Sequence, residues 1–238
     1  VNNKVDLICA IATPAAQTVA NVTSDIPIVA TAVTDYKTAK LVKDDAKPGT
    51  NVTGTTDMNP VAEQLDLLLK LVPNAKTIGT IYCSSEVNSQ LQVELLKKAA
   101  AAKGITVKEA TVSTVNDIQQ AARSLAGDVQ AVYVPTDNVL ASAIPTLISV
   151  TEEAKLPVIC AEGGMVRAGG LATLGVDYYK LGFQTGVMAA DILSGKSKPA
   201  DMAIQAQKEF KPTINLKEAA KIGLKVPEDL LKGAEVIK

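Results

Sequence analysis

Short polar side chains stand where the apolar runs of this sequence end: Thr13, Thr34 with Asp35, Ser84 and Ser85 with Glu86, Thr136 with Asp137 and Asn138, Glu162, and Asp177. Each alone is the kind of residue that caps a following helix, the commoner use of Ser, Thr, Asp and Asn at such points. Their chemistry as a set is more specific. In open α/β sheets, ligands sit beyond the carboxyl ends of the strands, where helix N-termini and backbone N–H groups converge. Thr13 and Thr34 are neutral donors near helix starts and suit a carboxylate; Asp137, Glu162 and Asp177 suit an ammonium group. A zwitterion satisfies both. No Arg or Lys stands at these ends, which argues against a phosphate or a dicarboxylate.

Catalysis has less support. The chain has no histidine, so the commonest general base and metal ligand is missing. Ser84 and Ser85 therefore have no His to activate them, and nothing forces Asp137, Glu162 or Asp177 into acid–base roles. The three cysteines, Cys9, Cys83 and Cys160, lie far apart in apolar runs and are expected to be buried, with neither a disulfide nor a zinc site among them. "GTNVTG" and "EGGMVRAGG" lack the spacing of a nucleotide-binding loop, and the two "NVT" triplets at Asn21 and Asn51 are weak matches to a glycosylation acceptor. No cofactor, metal or enzymatic activity is expected. With 24 basic and 25 acidic residues and no basic cluster, nucleic acid is not an expected partner. No apolar run approaches the roughly 18 residues of a membrane helix.

The elements that must position these groups follow from periodicity. Val-, Ile- and Ala-rich runs at 5–12, 28–33, 77–82, 105–111, 131–134, 158–161 and 172–176 alternate with helical patterns at 14–22, 60–71, 86–103, 115–125, 141–154 and 178–193. This is the signature of βα units and parallel sheets. The first helix is expected to take Thr13 as its N-cap and Pro14 as its first residue. "LVKDDAKPG" and the Lys/Glu-rich tail read as solvated surface.

The polar turn in "VPNAKTIG", residues 72–79, marks an expected lobe boundary. Four strand–helix units follow it, whereas only two good ones precede it. The first lobe is thus expected to lack part of its sheet, to be completed either by a segment upstream of Val1 or by later residues that return to it, of which the helix at 178–193 would bring no additional central strand.

Seven stretches, "AIATPAAQ", "IVATAVTD", "KPGTNVTGTTD", "IYCSSEVNS", "VYVPTDN", "LGVDYYKLGFQTGVMAADILSG" and "NLKEAAKIGLKVPEDLL", run in order along almost the whole chain. Together they resemble the ABC transporter substrate-binding proteins of the tryptophan- or tyrosine-binding type. The resemblance implies an α/β fold of the type 1 periplasmic-binding-protein class: two Rossmann-like lobes with parallel sheets, joined by a hinge and closing on a ligand. It places residues 1–75 with about 178–200 in the N-terminal lobe, and 76–177 with about 201–238 in the C-terminal lobe. It also implies a strand, helix and strand ahead of Val1, preceded by an export signal.

Carried over by position, Thr13 and Thr34 with the backbone around Pro14 and Ala15 are implied to hold an α-carboxylate. Glu162, with Asp137 as the second candidate, is implied to hold the α-amine. Ser84, Ser85 and Asn88 are implied hydrogen-bonders in the cleft, followed by Thr136, Asn138, Asp177 and Asp35. Where the family has Asp–Pro, this chain has Asp35–Tyr36, and Tyr36 is either an aromatic wall or an exposed loop residue.

The function implied is the solute-binding component of an ABC importer. Its ligand would be an apolar or aromatic amino acid, its partner a membrane permease, its state monomeric, and its location the periplasm or a lipid anchor outside the cell. A ligand-sensing effector domain of a transcription regulator uses the same fold and is the alternative, followed by a small-molecule enzyme.

Overall fold

Val-, Ile- and Ala-rich segments pair into two separate sheets in the computed structural model, which describes residues 3–238. In chain order the elements begin with β1 (Ile8–Ile11), α1 (Thr13–Ala20), β2 (Ile28–Val33), β3 (Val52–Thr56), α2 (Val61–Leu71), β4 (Thr77–Cys83) and α3 (Val87–Ala102). They continue with β5 (Thr106–Val112), α4 (Ile118–Ala126), β6 (Val132–Val134), α5 (Asn138–Ser142), α6 (Ile144–Glu153), β7 (Val158–Cys160), α7 (Gly163–Arg167) and β8 (Ala172–Gly175). The last are α8 (Tyr178–Leu193), β9 (Gln205–Ala206), β10 (Lys211–Asn215), α9 (Leu216–Ile222), α10 (Glu228–Leu231) and β11 (Glu235–Ile237).

The chain forms two compact units. The first runs to Met58 and resumes over Val176–Glu209; the second comprises Asn59–Gly175 and Phe210–Lys238. The expected boundary near residue 75 is therefore corrected to Met58/Asn59, because α2 belongs to the second unit. Its face of Val61, Leu65, Leu68 and Leu71 packs with Ile78, Leu96, Tyr133 and Ile214. Gln64 fixes it there: its amide Nε2 donates to the carbonyls of Ala161 at 3.0 Å and Leu174 at 2.8 Å, and its Oε1 accepts from the Tyr133 hydroxyl at 2.7 Å.

In the first unit the sheet order is β1-β2-β3-β9, all parallel, with the returning segment adding β9 at an edge. Val29 packs against Met188 and Ala189 of α8. Gly54 has φ +150°, and a Cβ there would stand 1.8 Å from the Ala30 carbonyl oxygen and 2.5 Å from the Tyr36 hydroxyl. The missing side chain makes room for Tyr36, which is buried and donates from its hydroxyl to the carbonyls of Ala30 and Thr55. Both expectations for Tyr36 fail: it is a core residue. Cys9 is also corrected, since it is exposed on β1, while Cys83 and Cys160 are buried as expected.

The second unit has the order β11-β10-β8-β7-β6-β4-β5, with β10 antiparallel to β8 and the other pairs parallel. Alternate strand residues face two cores, as a doubly wound sheet requires. Ile81, Val132 and Val134 meet Leu125, Ile144 and Leu147 on one face; Ile78, Tyr133 and Ile159 meet Leu65, Leu68 and Leu96 on the other. The expected helix at 141–154 is two helices. Pro145 lacks an N–H and cannot continue α5, so the chain breaks at Ala143 and restarts. The tail expected to be solvated surface instead supplies α9, α10 and the edge strand β11.

Candidate functional site

At the carboxyl end of β1 the backbone turns through Ala12, with φ 76° and ψ 156°, a region that residues with a Cβ rarely occupy. Ala32 in β2, next to a register shift, has φ 54°. Two neighbouring strands thus carry strained alanines at the same end, and such strain collects at binding sites. Ala12, not Thr13, is the N-cap of α1; Thr13 and Pro14 are its first two residues, which corrects the expected cap. An alanine has no side chain to cap with. Among the described residues, the N–H groups of Thr13 and Ala15 and the Thr13 hydroxyl have no hydrogen-bond partner. Pro14 and Ala15 are exposed beside them.

Thr34, after β2, is buried and donates from Oγ1 to Asp57 Oδ1 at 3.0 Å; Tyr178 of α8 donates from its hydroxyl to Asp57 Oδ2 at 2.7 Å. Asp57, at the end of β3, is itself buried. Beside the neutral Thr13 and Thr34, this end of the first unit's sheet thus holds a buried carboxylate. Asp35 accepts the N–H of Thr38 at 2.7 Å and shapes the turn that buries Tyr36. Asp177 was expected on the second lobe and lies in the first unit, where it caps α8 by accepting from the N–H groups of Tyr179 and Lys180. Its backbone N–H and carbonyl also pair with the Gln207 side chain, at 2.9 and 2.6 Å.

The second unit gathers the remaining residues at one sheet end. Asp137 caps α5 through the Leu140 N–H at 2.9 Å, and also accepts from the Cys83 N–H at 2.6 Å and the Ser89 hydroxyl at 2.7 Å. Burial, then the nearby Glu86 carboxylate, push its pKa up; the three donors oppose that shift. Glu86 is buried too, accepting from the backbone and side-chain amides of Asn138 and from the Asn88 amide. Asn88 Nδ2 also donates to the Thr136 carbonyl at 2.8 Å, while its buried Oδ1 has no partner. The Thr136 N–H and hydroxyl pair with the Gln92 amide.

Ser84 and Ser85 are exposed beside this network, with Ser85 Oγ 3.2 Å from Cys83 Sγ. Glu162, half-buried, caps the five-residue α7 by accepting from the N–H groups of Gly164 and Met165. Asp137, Glu162 and Asp177 thus all serve as helix caps. Among the described residues no cluster of three or more His, Cys, Asp or Glu side chains is arranged to hold a metal ion, and no helix is long and apolar enough to cross a membrane.

Sequence reasoning missed Asp57, Tyr178 and Gln64, and passed over Glu86. The signal for Asp57 lay in "VTGTTD": once 52–56 is a strand, Asp57 is one more polar residue at a strand end.

The family model for ABC transporter substrate binding protein matches residues 1–238, the whole chain. The chain belongs to this family. The fold is the type 1 periplasmic-binding-protein fold. Within the family, the chain is 47% identical over 197 residues to a tyrosine-binding protein of Clostridioides difficile, covering 83% of this chain and 57% of that protein. It therefore spans little more than half the length of that relative. A solved ABC domain in complex with L-Trp, from Streptococcus pneumonia, is 42% identical, with a TM-score of 0.95 over 100% of this chain and 80% of that one. The ligand-free, open structure of a substrate-binding protein with adhesive properties from Clostridium difficile is 43% identical, with a TM-score of 0.74 over 100% and 79%.

Proposed function

We propose that this chain is the ligand-binding part of a solute receptor for an ABC importer, that it acts outside the cytoplasm without catalysis, and that its ligand is an amino acid with an aromatic side chain. The observation that carries the reading is the uncapped start of α1, where strained Ala12 leaves the Thr13 and Ala15 N–H groups without partners at a strand end. Unpaired N–H groups at a helix N-terminus favour an anion, and a ligand carboxylate supplies one charge without a second to satisfy. Thr13, with the backbone of Pro14 and Ala15, is the proposed carboxylate contact.

Glu162 is the proposed partner of the ammonium group. Its carboxylate is half exposed and engaged by two N–H donors, whereas Asp137 is buried with three. Each carboxylate oxygen has room for a further donor only where it meets solvent or ligand. The aromatic preference draws support from the relatives: one is named for tyrosine and another holds L-Trp. Binding shifts the population toward the form that a membrane permease recognises.

A thermal-shift screen against the common amino acids tests this reading. A ligand at about a hundredfold over its Kd adds about 2.7 kcal/mol to stability, and L-tyrosine or L-tryptophan is expected to give the largest shift. An unmoved melting transition with every amino acid contradicts the proposal.

A further inference from the structure

Tyr178 combines two properties rarely found together. The residue is 37% exposed, yet its hydroxyl is tied at 2.7 Å to the carboxylate of Asp57, a residue only 2% exposed. Asp57 is held in turn from the other side by the buried Thr34 hydroxyl at 3.0 Å. A surface tyrosine ordinarily samples several rotamers. Here the charge-assisted hydrogen bond removes that freedom, because releasing the hydroxyl would leave a buried carboxylate short of a donor.

The location of this fixed ring is specific. Thr13 follows β1, Thr34 follows β2 and Asp57 follows β3, three adjacent parallel strands, so all three lie at the carboxyl edge of the first unit's sheet. Two strand spacings, about 10 Å, separate the uncapped start of α1 from Asp57. An aromatic amino acid whose carboxylate sits on α1 has the length to reach the ring that Asp57 holds, and a short aliphatic one does not. The next residue, Tyr179, is 84% exposed and has no hydrogen bond from its hydroxyl among the described residues.

We infer that Tyr178 is the aromatic platform on which the ligand's side chain stacks, with Asp57 and Thr34 as the residues that position it. This rests on the proposed amino-acid binding and adds the origin of its side-chain preference. An anchored ring offers its π-face with little conformational entropy left to lose, which favours planar side chains over branched ones.

The test is calorimetric titration of the protein and its variants with L-tryptophan, with L-leucine measured by competition. Tyr178→Ala is expected to weaken L-tryptophan binding by about tenfold or more, with a much smaller loss for L-leucine. Tyr178→Phe keeps the ring and loses its anchor, so the expected loss is about threefold. Asp57→Asn removes the charge and leaves one oxygen where the two hydroxyls now use separate ones; it is expected to behave like Tyr178→Phe, again lowering the tryptophan-to-leucine ratio, which general damage to the fold leaves unchanged. Tyr179→Ala is the control and leaves both affinities as they were. Equal losses for the two ligands in Tyr178→Ala, or no loss for L-tryptophan, overturn the platform while amino-acid binding stands. A wild-type chain that binds neither amino acid overturns the functional reading and the platform with it.

Discussion

The carboxylate of Glu86, the residue just before α3, accepts both the backbone N–H of Asn138 at 3.1 Å and its side-chain amide at 2.6 Å, where α5 begins. The Val139 N–H joins at 3.2 Å and the Asn88 amide at 3.0 Å. One buried acid therefore ties the starts of α3 and α5 together, where helix dipoles favour a negative charge. Glu86→Gln would turn an NH₂ group toward these donors and leave some unmatched. It is expected to lower stability by about 2 kcal/mol, measured by denaturant unfolding; a change under about 0.5 kcal/mol would contradict this role.

Gln64 makes a separate prediction for α2. Gln64→Leu keeps a similar volume but strips partners from a buried carbonyl, a partly buried one and the Tyr133 hydroxyl. The expected cost is about 3 kcal/mol. Because α2 belongs to the second unit, hydrogen exchange should quicken there and not in the sheet of the first unit. Faster exchange in β2 and β3 would count against the boundary at Met58.

Gly54 admits no side chain. With a Cβ 1.8 Å from the Ala30 carbonyl oxygen, Gly54→Ala must displace the backbone of β2 and the buried Tyr36. A loss of about 3 kcal/mol or more is expected, read as a fall in the melting temperature. A melting temperature equal to the wild type would mean that β2 and β3 approach less closely than described.

Glu218 on α9 gives the pH prediction. Its side chain is 3% exposed, and burial together with the neighbouring Glu152 carboxylate pushes its pKa up to about 7 from an ordinary 4.5. Lys221 bridges toward both acids and holds the Glu152 carboxyl below its usual range. A raised acid keeps in the folded state a proton that the unfolded chain has released. Stability from Glu218 is therefore fully present below its unfolded value and declines as pH rises from 4.5 through about 7. Glu218→Gln should flatten that decline and stabilise the protein above about pH 7. Parallel stability–pH curves for the two proteins would refute it.

Much of this fold could be read from the sequence, because strands buried on both faces and helices with one apolar stripe announce themselves. Ile28–Val33 and Tyr178–Leu193 coincide with their expected ranges. The missed elements are those whose sequences carry weak signals. "VTGTT" is a strand built on threonines, with hydroxyls paired across Thr31, Thr55 and Thr185 in place of apolar contacts. "KPTIN" begins with a lysine and a proline, and it pairs antiparallel to β8 over a distance that local periodicity does not reveal. Among the strand-end residues, type and position were legible but partners were not. That Asp137, Glu162 and Asp177 cap helices follows from side-chain geometry, and that Asp57 stands with Thr34 and Tyr178 follows from long-range pairing.

Glu162→Gln separates the proposed ammonium contact from the cap. The amide still offers an oxygen to the Gly164 or Met165 N–H but loses the charge. Amino-acid affinity is expected to fall by about tenfold, or about 1.4 kcal/mol, with little change in the melting temperature of the free protein. Unchanged affinity would assign the ammonium group to a different acid.

Recognition of a zwitterion is the centre of this account, and one comparison tests it most directly: calorimetric titration with L-tryptophan, with tryptamine, which lacks the carboxylate, and with indole-3-propionate, which lacks the amine. L-tryptophan is expected to bind at one site, and each truncated compound about a hundredfold more weakly or worse, since each leaves one set of polar groups unpaired. Truncated compounds that bind as tightly as L-tryptophan, or an L-tryptophan that does not bind, would contradict the account.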